Sequence, residues 1–143
     1  MRIAVASDHG GYKIKEWVKE HLDSTEHAYV DLGTHSEDSV DYPDYAEKVV
    51  HYVLHNGYDY GILVCGTGQG MAISANKHRN IRAALCFNVE LAEQARSHGD
   101  CNILCLGGSL QTLEPDTIDI VDTFLQTKFD GGRHVKRIKK FST

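Results

Sequence analysis

Short runs of apolar residues alternate along the chain with longer segments in which apolar residues recur every three or four positions. The short runs are typical of buried strands, and the segments of helical period are typical of amphipathic helices. Strands that are separated by helices form parallel sheets with both faces covered. The sequence therefore predicts an α/β fold in three layers, with a five-stranded parallel sheet and a C-terminal helical tail.

The boundaries of these elements follow from the same pattern. The predicted strands are RIAVAS (2–7), YVDLG (29–33), YGILVC (60–65), IRAALC (81–86) and CNILCLGG (101–108). The first predicted helix follows the first strand and includes residues 14–22, and the other predicted helices are at about 41–57, 69–77, 89–99 and 115–128. A basic segment at 130–143 is predicted to be a helical tail. In the first helix, Ile14, Trp17, Val18 and Leu22 share one face, which we expect to be buried. In the second helix, Pro43 lies in the first turn and Gly57 follows the last turn, as is typical of helix ends.

Composition and charge limit the function. The 143 residues are the size of a single domain, and we expect one domain over 1–143. The formal net charge of −5 favours neither nucleic acid nor an anionic membrane as a partner. Since there is no apolar run long enough for a membrane span, and Asp8 interrupts the first one, we expect a cytoplasmic protein. The four cysteines show no CxxC pair and no zinc-like spacing, so we expect four free thiols and no metal.

Three loops after predicted strands carry the candidate chemistry. They span 7–11, 65–70 and 106–109, and in parallel sheets such loops meet beyond the carboxyl ends of the strands. In CGTGQG, the glycines at 66, 68 and 70 allow successive amides to point at one spot, which predicts an anion-binding loop. Amides and a helix N-terminus beside Cys65 favour thiolate over thiol, so we expect an outward-facing, reactive sulfur there. The other three cysteines lie in or next to strands and are interpreted as small buried residues.

Several reactions are excluded by missing residues. A cysteine phosphatase loop needs an arginine six positions after the nucleophile, where this chain has Met71. The loop also lacks the Gly-Lys-Ser/Thr ending of a nucleotide-binding P-loop, and SDHGG after the first strand is not GxGxxG. The remaining chemistry is proton transfer at carbon, in which amides stabilise an enediolate and Cys65 holds the proton.

Six stretches resemble one enzyme family, and they occur in that family's order over nearly the whole chain. They are SDHGGYKIK (7–15), VDYPDYA (40–46), CGTGQGMAISANK (65–77), IRAAL (81–85), RSHGD (96–100) and DGGRHVKRI (130–138). The chain is similar in these motifs to type B ribose 5-phosphate isomerases, whose relatives include galactose 6-phosphate and allose 6-phosphate isomerases.

The resemblance implies a Rossmann-like domain and an aldose-ketose isomerase that interconverts ribose 5-phosphate and ribulose 5-phosphate without metal or cofactor. It also implies a homodimer, with a tetramer as an alternative, in which active sites are shared between subunits. The tail at about 130–143 is expected to pack on the partner subunit.

The resemblance also implies roles for individual residues. The catalytic group is Cys65 as general base, Thr67 in the enediolate site, His98 in ring opening and Asp41 near the reacting end. The substrate-binding group is Asp8 for sugar hydroxyls, Tyr42 near the reacting end, Gly66, Gly68 and Gly70 through their amides, and His9, Arg133 and Arg137 for the phosphate.

Each of these residues also has a purely structural interpretation. Asp8 and Asp41 are placed to cap helices, and His98 to interact with the negative end of a helix. Arg133 and Arg137 are one helical turn apart and can reach one phosphate, although RHVKRIKK also fits a solvated basic tail. An HxxxH pair, His51 and His55, is interpreted as surface residues because a zinc site needs a third protein ligand.

Two positions depart from the family pattern and leave alternatives open. Gly99 stands where relatives usually have Asn, and Ser109 stands where many have an arginine that binds phosphate. The sugar can therefore be an allose, galactose or tetrose phosphate instead of a pentose phosphate. A phosphosugar-binding module without catalysis and a redox-sensing thiol at Cys65 are the alternatives from other functional classes.

Overall fold

Five parallel strands form one sheet in the computed structural model, which describes residues 1–109 and 115–142. The strands are β1 (Arg2–Ser7), β2 (Ala28–Asp31), β3 (Tyr60–Cys65), β4 (Ala83–Leu85) and β5 (Ile103–Gly107). Their order across the sheet is β2-β1-β3-β5-β4, and every neighbouring pair is parallel. The predicted five-stranded parallel sheet is thus confirmed, although β2 and β4 are shorter than predicted.

The residues that the structure describes form six helices. They are α1 (Tyr12–Asp23), α2 (Tyr42–His55), α3 (Gln69–Ala75), α4 (Val89–Ser97), α5 (Pro115–Gln126) and α6 (Arg133–Ile138). Two 3-10 turns, His9–Gly11 and Lys139–Ser142, precede α1 and follow α6. Gly131 and Gly132 adopt positive φ angles of 66° and 54° and separate α6 from the rest of the chain, as the predicted tail requires. Thr143 and residues 110–114 lie outside the described residues.

The core has two layers because side chains alternate along the strands. In β3, Ile62 and Val64 point into the layer under α1, α4 and α5, whereas Leu63 and Cys65 point into the layer under α2 and α3. All four of these residues are buried. The three-layer prediction is therefore confirmed. No helix among the described residues combines the length and the apolar character needed to cross a membrane.

Helix α1 departs from its predicted buried face. Trp17 is only half-buried, whereas the whole side chain of Lys15 is buried. Lys15 Nζ donates to both carboxylate oxygens of Asp31 at 2.8 and 2.9 Å, and Lys19 Nζ lies 2.6 Å from Asp31 Oδ2. Burial alone would raise the pKa of Asp31, but the hydrogen bonds from both lysines outweigh it and hold this pKa at about 2. Apolar periodicity could not show this ion pair, because lysine counts as polar in the pattern.

The strand order places the functional loops. The chain leaves β1 to form β2 on one side of it and returns to form β3 on the other side. The loops after β1 and β3 therefore lead away to opposite sides of the carboxyl edge of the sheet. Ligands of open α/β sheets bind in the crevice between such loops.

Candidate active site

Three loops contact one another through their backbones at the carboxyl edge of the sheet. The Asp8 amide donates to the carbonyl of Val64 at 3.1 Å, and the Gly108 amide donates to the carbonyl of Cys65 at 2.7 Å. The Ser109 amide and hydroxyl both donate to the carbonyl of Gly66, at 2.9 and 2.5 Å. The loops after β1, β3 and β5 thus form a single rigid floor, as the sequence predicted for these three segments.

Glycines make this close approach possible. A Cβ on Gly10 would lie 3.2 Å from the Gly66 nitrogen, and a Cβ on Gly108 would collide with the carbonyl of Gly10. Gly68 has a φ of 79° and precedes α3, and a Cβ there would lie 2.5 Å from Leu85 Cδ1. Gly66 has no such neighbour, since the first atom a Cβ would meet is Ser109 Oγ at 3.6 Å. The space beside Gly66 is the side of the floor that a ligand can approach.

Tyr42 covers another part of the glycine loop. A Cβ on Gly70 would run into the Tyr42 ring, so this glycine lets the ring lie on the loop. The Tyr42 side chain remains 39% exposed. Asp41 occupies the N-cap position of α2, but its side chain makes no capping hydrogen bond. The capping interpretation of Asp41 is therefore wrong, and its carboxylate is not engaged by the helix end.

Asp8 and His9 are held by local hydrogen bonds. Asp8 Oδ1 accepts from the Gly11 amide at 3.1 Å, so this carboxylate caps the first 3-10 turn, and the residue is 6% exposed. The capping interpretation is thus confirmed for Asp8, and one carboxylate oxygen is used by the cap. His9 Nδ1 accepts from the Val40 amide at 3.1 Å. A neutral His9 ring must therefore carry its proton on Nε2, where it is a donor.

Cys65 is more enclosed than the sequence suggested. It is the last residue of β3 and only 4% exposed, and its side chain belongs to the apolar layer under α2 and α3. The expectation of an outward-facing sulfur is wrong for the single chain, because strand alternation turns Cys65 to the same side as Leu63. The next residues, Gly66 and Thr67, form the more open loop. The Thr67 hydroxyl accepts from the Gln69 amide at 3.3 Å.

The remaining cysteines match the structural interpretation. All four thiols are free, as predicted. Burial raises the pKa of Cys86 to about 12 and that of Cys101 to about 11. Burial also raises the pKa of Cys105 well above its usual value. These three thiols are therefore neutral at physiological pH.

His98 lies at the other edge of the sheet. It follows the last residue of α4, shortly before β5 begins at Ile103, whereas Cys65 pairs in register with Gly107 at the end of β5. Five strand residues span roughly 16 Å at about 3.3 Å per residue. The single chain therefore does not bring His98 together with Cys65, although it brings Asp8, His9 and Tyr42 to the glycine loop.

A second group of site residues surrounds His98. The His98 and His134 rings stack with centroids 4.4 Å apart and planes 15° from parallel. Arg133 and Arg137 on α6 line the same cavity of about 530 Å³, which confirms that the two arginines face one space. Desolvation, His98 and the two arginines lower the pKa of His134. This basic pocket is suited to an anion such as a phosphate group.

The same group contains a possible metal-ligand set. One ligand atom each from His98, Asp130 and His134 lies within 4.8 Å of the others. The nearly parallel stacking keeps the in-plane lone pairs of the two rings from converging on one ion. The two arginines beside the rings also oppose a cation. The arrangement thus fits an anion better than a metal.

Two features of the site were missed in the sequence. His134 belongs to the GGRH motif but received no role, and its spacing from the two arginines places it on α6 with them. The amide of Val40 orients His9, and nothing in the sequence pattern identifies a backbone donor from a distant loop.

Comparisons with known proteins agree with one another. The family model described as Ribose/Galactose Isomerase matches residues 3–141. A putative sugar phosphate isomerase of Rickettsia bellii is 50% identical over 139 residues, covering 96% of this chain and 95% of that protein.

Two solved structures extend the comparison. The crystal structure of a ribose 5-phosphate isomerase from Thermotoga maritima is 54% identical and has a TM-score of 0.96, covering 99% of this chain and 97% of that one. Ribose-5-phosphate isomerase B from Mycoplasma genitalium, solved with bound ribulose-5-phosphate, is 42% identical and has a TM-score of 0.91. That match covers 97% of this chain and 92% of the other.

Proposed function

Because the chain belongs to the ribose/galactose isomerase family, we propose that it interconverts ribose 5-phosphate and ribulose 5-phosphate through an enediolate. This membership confirms the resemblance indicated by the sequence motifs. The relative that was solved with ribulose-5-phosphate supports this choice of substrate. The observation that carries the proposal is the position of Cys65, at a strand end where it leads directly into a glycine loop with an open side at Gly66.

The first proposed step is ring opening. Ribose 5-phosphate binds as a furanose, and His98 moves a proton from the anomeric hydroxyl to the ring oxygen, so that the C1–O4 bond breaks and C1 becomes an aldehyde. The phosphate is held by Arg133, Arg137 and His9. Charge-assisted hydrogen bonds of this kind contribute about 1.5–3 kcal/mol each.

The second proposed step is proton transfer between carbons. The Cys65 thiolate removes the proton from C2, and the negative charge moves to O1, where the amides of Gly66, Gly68 and Gly70 and the Thr67 hydroxyl surround it. The thiol returns the proton to C1 while the O2 proton passes to O1, which gives the ketose. The low exposure of Cys65 supports this role, because hydrogen bonds to a developing oxyanion are stronger where water is excluded.

Two copies of the chain are needed for this mechanism. Cys65 and His98 lie at opposite edges of the sheet, so we propose that His98, Arg133 and Arg137 of one copy complete the site around Cys65 of a second. A symmetric dimer contains two such sites, since each copy contributes one half to each. Asp8, Asp41 and Tyr42 belong to the Cys65 half and bind the sugar at its reacting end.

The test is an NMR experiment in deuterated buffer with ribose, allose, galactose and erythrose phosphates as substrates. We expect a ketose product and incorporation of deuterium at carbon, with the highest kcat/KM for ribose 5-phosphate. Higher efficiency with a six-carbon phosphate would overturn the choice of sugar and keep the reaction. Thermal stabilisation by the phosphosugars with neither product nor label would instead show a binding module.

One alternative substrate has specific support. Gly99 leaves no side chain beside His98, and Ser109 Oγ is occupied by the Gly66 carbonyl instead of a phosphate. Both features remove side-chain ligands that the family pattern would supply, which favours another sugar phosphate, such as allose or galactose phosphate, as the second candidate. The same substrate panel separates the two candidates.

A further inference from the structure

Two arginines enclose the turn that follows His98. Arg82, just before β4, donates from Nε to the carbonyls of Gly99 at 3.2 Å and Asp100 at 2.9 Å. Arg96, on α4, donates from one terminal nitrogen to Asp100 Oδ1 at 3.0 Å and to the Cys101 carbonyl at 2.7 Å. The Asp100 carboxylate therefore connects both guanidinium groups, since its other oxygen lies 3.4 Å from Arg82.

The turn has a backbone conformation that needs such support. Asp100 has a φ of 45°, in the left-handed region that side chains other than glycine rarely adopt. Its carboxylate is tied to Arg96 and Arg82 while its carbonyl accepts from Arg82. His98 is two residues earlier, and its own amide donates to the carbonyl of Gln94 at 2.9 Å. The backbone is thus held on both sides of His98, by the last turn of α4 before it and by the Asp100 turn after it.

Arg96 is anchored in the core. The residue is only 5% exposed, and its guanidinium lies over the Tyr60 ring at 4.7 Å and near the Phe124 ring at 5.8 Å. Its Nε has no hydrogen-bond partner among the described residues, so the burial is not fully compensated. The Asp100 side chain is 37% exposed, so the pair joins a buried guanidinium to a carboxylate at the surface. The pair therefore holds the turn that follows His98 against the core.

We propose that Arg96 and Asp100 are positioning residues for ring opening, which hold the His98 imidazole in line with the sugar ring bound by the partner copy. This inference rests on the proposed function, in which His98 opens the ring. The pair touches neither substrate nor reacting atoms, and it acts through the backbone of the turn. Arg82 strengthens the same turn from β4.

The substrates themselves separate ring opening from proton transfer. Ribose 5-phosphate is a furanose and must open before C2 can lose its proton. Ribulose 5-phosphate has its C5 hydroxyl blocked by phosphate, and ring closure from O4 onto C2 would give a four-membered ring, so it stays open. Exchange of its C1 protons with deuterium in the solvent therefore needs Cys65 but no ring opening.

The experiment compares these two rates in the full-length chain. In Arg96→Met, an apolar residue replaces the buried guanidinium, and in Asp100→Asn the charge of the partner is removed. We expect either variant to lower kcat for ribose 5-phosphate by 10-fold to about 100-fold, since a displacement of about 1 Å can cost that much. We expect the exchange of the C1 protons of ribulose 5-phosphate to change less than about threefold, because these substitutions do not alter the geometry around Cys65. Asp122→Ala, which removes the His21–Asp122 contact of 2.7 Å between α1 and α5, is the matched control and should change neither rate.

Each outcome decides between specific statements. Equal losses of both rates, or no loss of either, in the variant that folds would overturn the positioning role. If Arg96→Met does not fold, Asp100→Asn gives the same comparison, and failure of both variants to fold would assign the pair to stability and overturn the inference. His98→Ala is the reference. If that substitution leaves the ratio of the two rates unchanged, the assignment of ring opening to His98 is wrong, which is a failure of the proposed function.

Discussion

At the scale of the residue, the site depends on where a strand ends. Cys65 is held in the core layer by strand alternation, while the next residue already belongs to an open loop whose amides are fixed by the loops after β1 and β5. A sulfur in this position is shielded from water yet adjacent to backbone donors. This setting suits the proposed base, because hydrogen bonds to a developing oxyanion are stronger where water is excluded.

Replacement of Cys65 by alanine tests this view. We expect Cys65→Ala to lower kcat by about 10²-fold to 10⁴-fold, the usual contribution of a positioned base. The fold and the binding of phosphosugar should remain, because only one buried atom is removed. Steady-state kinetics and thermal unfolding with and without ribose 5-phosphate measure both effects. Cys105→Ala removes the same atom from a fully buried position in the same core layer and should keep wild-type kcat. Wild-type turnover in Cys65→Ala would refute the mechanism.

At the scale of the element, α1 is attached to β2 by a buried charge cluster. Asp31 ends β2, and its carboxylate is shared by Lys15 and Lys19 from successive turns of α1. An acid at the end of the second strand also occurs in dinucleotide-binding folds, where it contacts ribose hydroxyls. Here both carboxylate oxygens are taken by lysines, so this acid serves the packing of the helix.

Removing the carboxylate should therefore cost stability. Asp31→Asn leaves the buried Lys15 with only the partly exposed Glu16, at 3.1 Å, as a carboxylate partner among the described residues. Because the removal of one partner of a buried pair costs about 3–5 kcal/mol when no other charge compensates, we expect a loss at or below that range. Urea denaturation measures the free energy of unfolding. The control is Lys13→Ala, which removes an exposed pair with Glu37 at 3.8 Å and should cost at most about 1 kcal/mol. Equal effects of the two substitutions would contradict the importance of burial.

The same carboxylate predicts the response to acid. Because the pKa of Asp31 falls from 3.8 to about 2 on folding, the folded state prefers the ionised form. This contribution is fully present above pH 3.8 and is lost as the pH falls toward 2. Unfolding free energies measured at intervals between pH 5 and about pH 2 should decline more steeply in the wild type than in Asp31→Asn. Parallel declines would show that other carboxylates account for the acid sensitivity.

At the scale of the whole molecule, the proposed mechanism needs two groups of residues that a single chain keeps apart. Cys65, Asp8 and Tyr42 lie at the carboxyl edge of the sheet, whereas the cavity of His98 and Arg133 lies along α4, α6 and the edge strand β4. In that mechanism, the His98 group supplies the arginines for the phosphate and the histidine for ring opening, and the Cys65 group supplies the base that acts at carbon. We propose that a second copy of the chain brings the two groups together.

Mixing two inactive variants tests this arrangement. Cys65→Ala and His98→Ala are each expected to be nearly inactive toward ribose 5-phosphate. In a mixed dimer, one site has both defects and the other has none, so random exchange of subunits should restore about a quarter of the wild-type sites. The measurement is kcat per chain after the variants are unfolded together and refolded, with each variant refolded alone as control. No recovery would mean that both residues act within one chain.

The sequence predicts more of this molecule at short range than at long range. Strand and helix positions, the free thiols and the convergence of three glycine loops follow from periodicity and turn chemistry, because those are local properties. The burial of Lys15 and the orientation of His9 by Val40 depend on partners 16 and 31 residues away. The separation of His98 from Cys65 follows from the course of α4, which begins after the carboxyl end of β4 and ends before the amino end of β5. A motif by itself does not show at which end of the sheet its residues lie.

The floor made by Gly10, Gly66 and Gly108 has a consequence for laboratory evolution of this enzyme. At Gly108 any side chain would collide with the Gly10 carbonyl, so most random codons there should disrupt the loops, whereas a Cβ on Gly10 meets the Gly66 nitrogen at 3.2 Å and needs only a small shift. New sugar preferences are therefore more accessible at rim positions such as Tyr42 and Ser109 than at Gly99, where a Cβ would lie 2.9 Å from the Ala95 carbonyl oxygen. A library restricted to the rim positions would vary the substrate selectivity and keep the loop backbone that supports the chemistry.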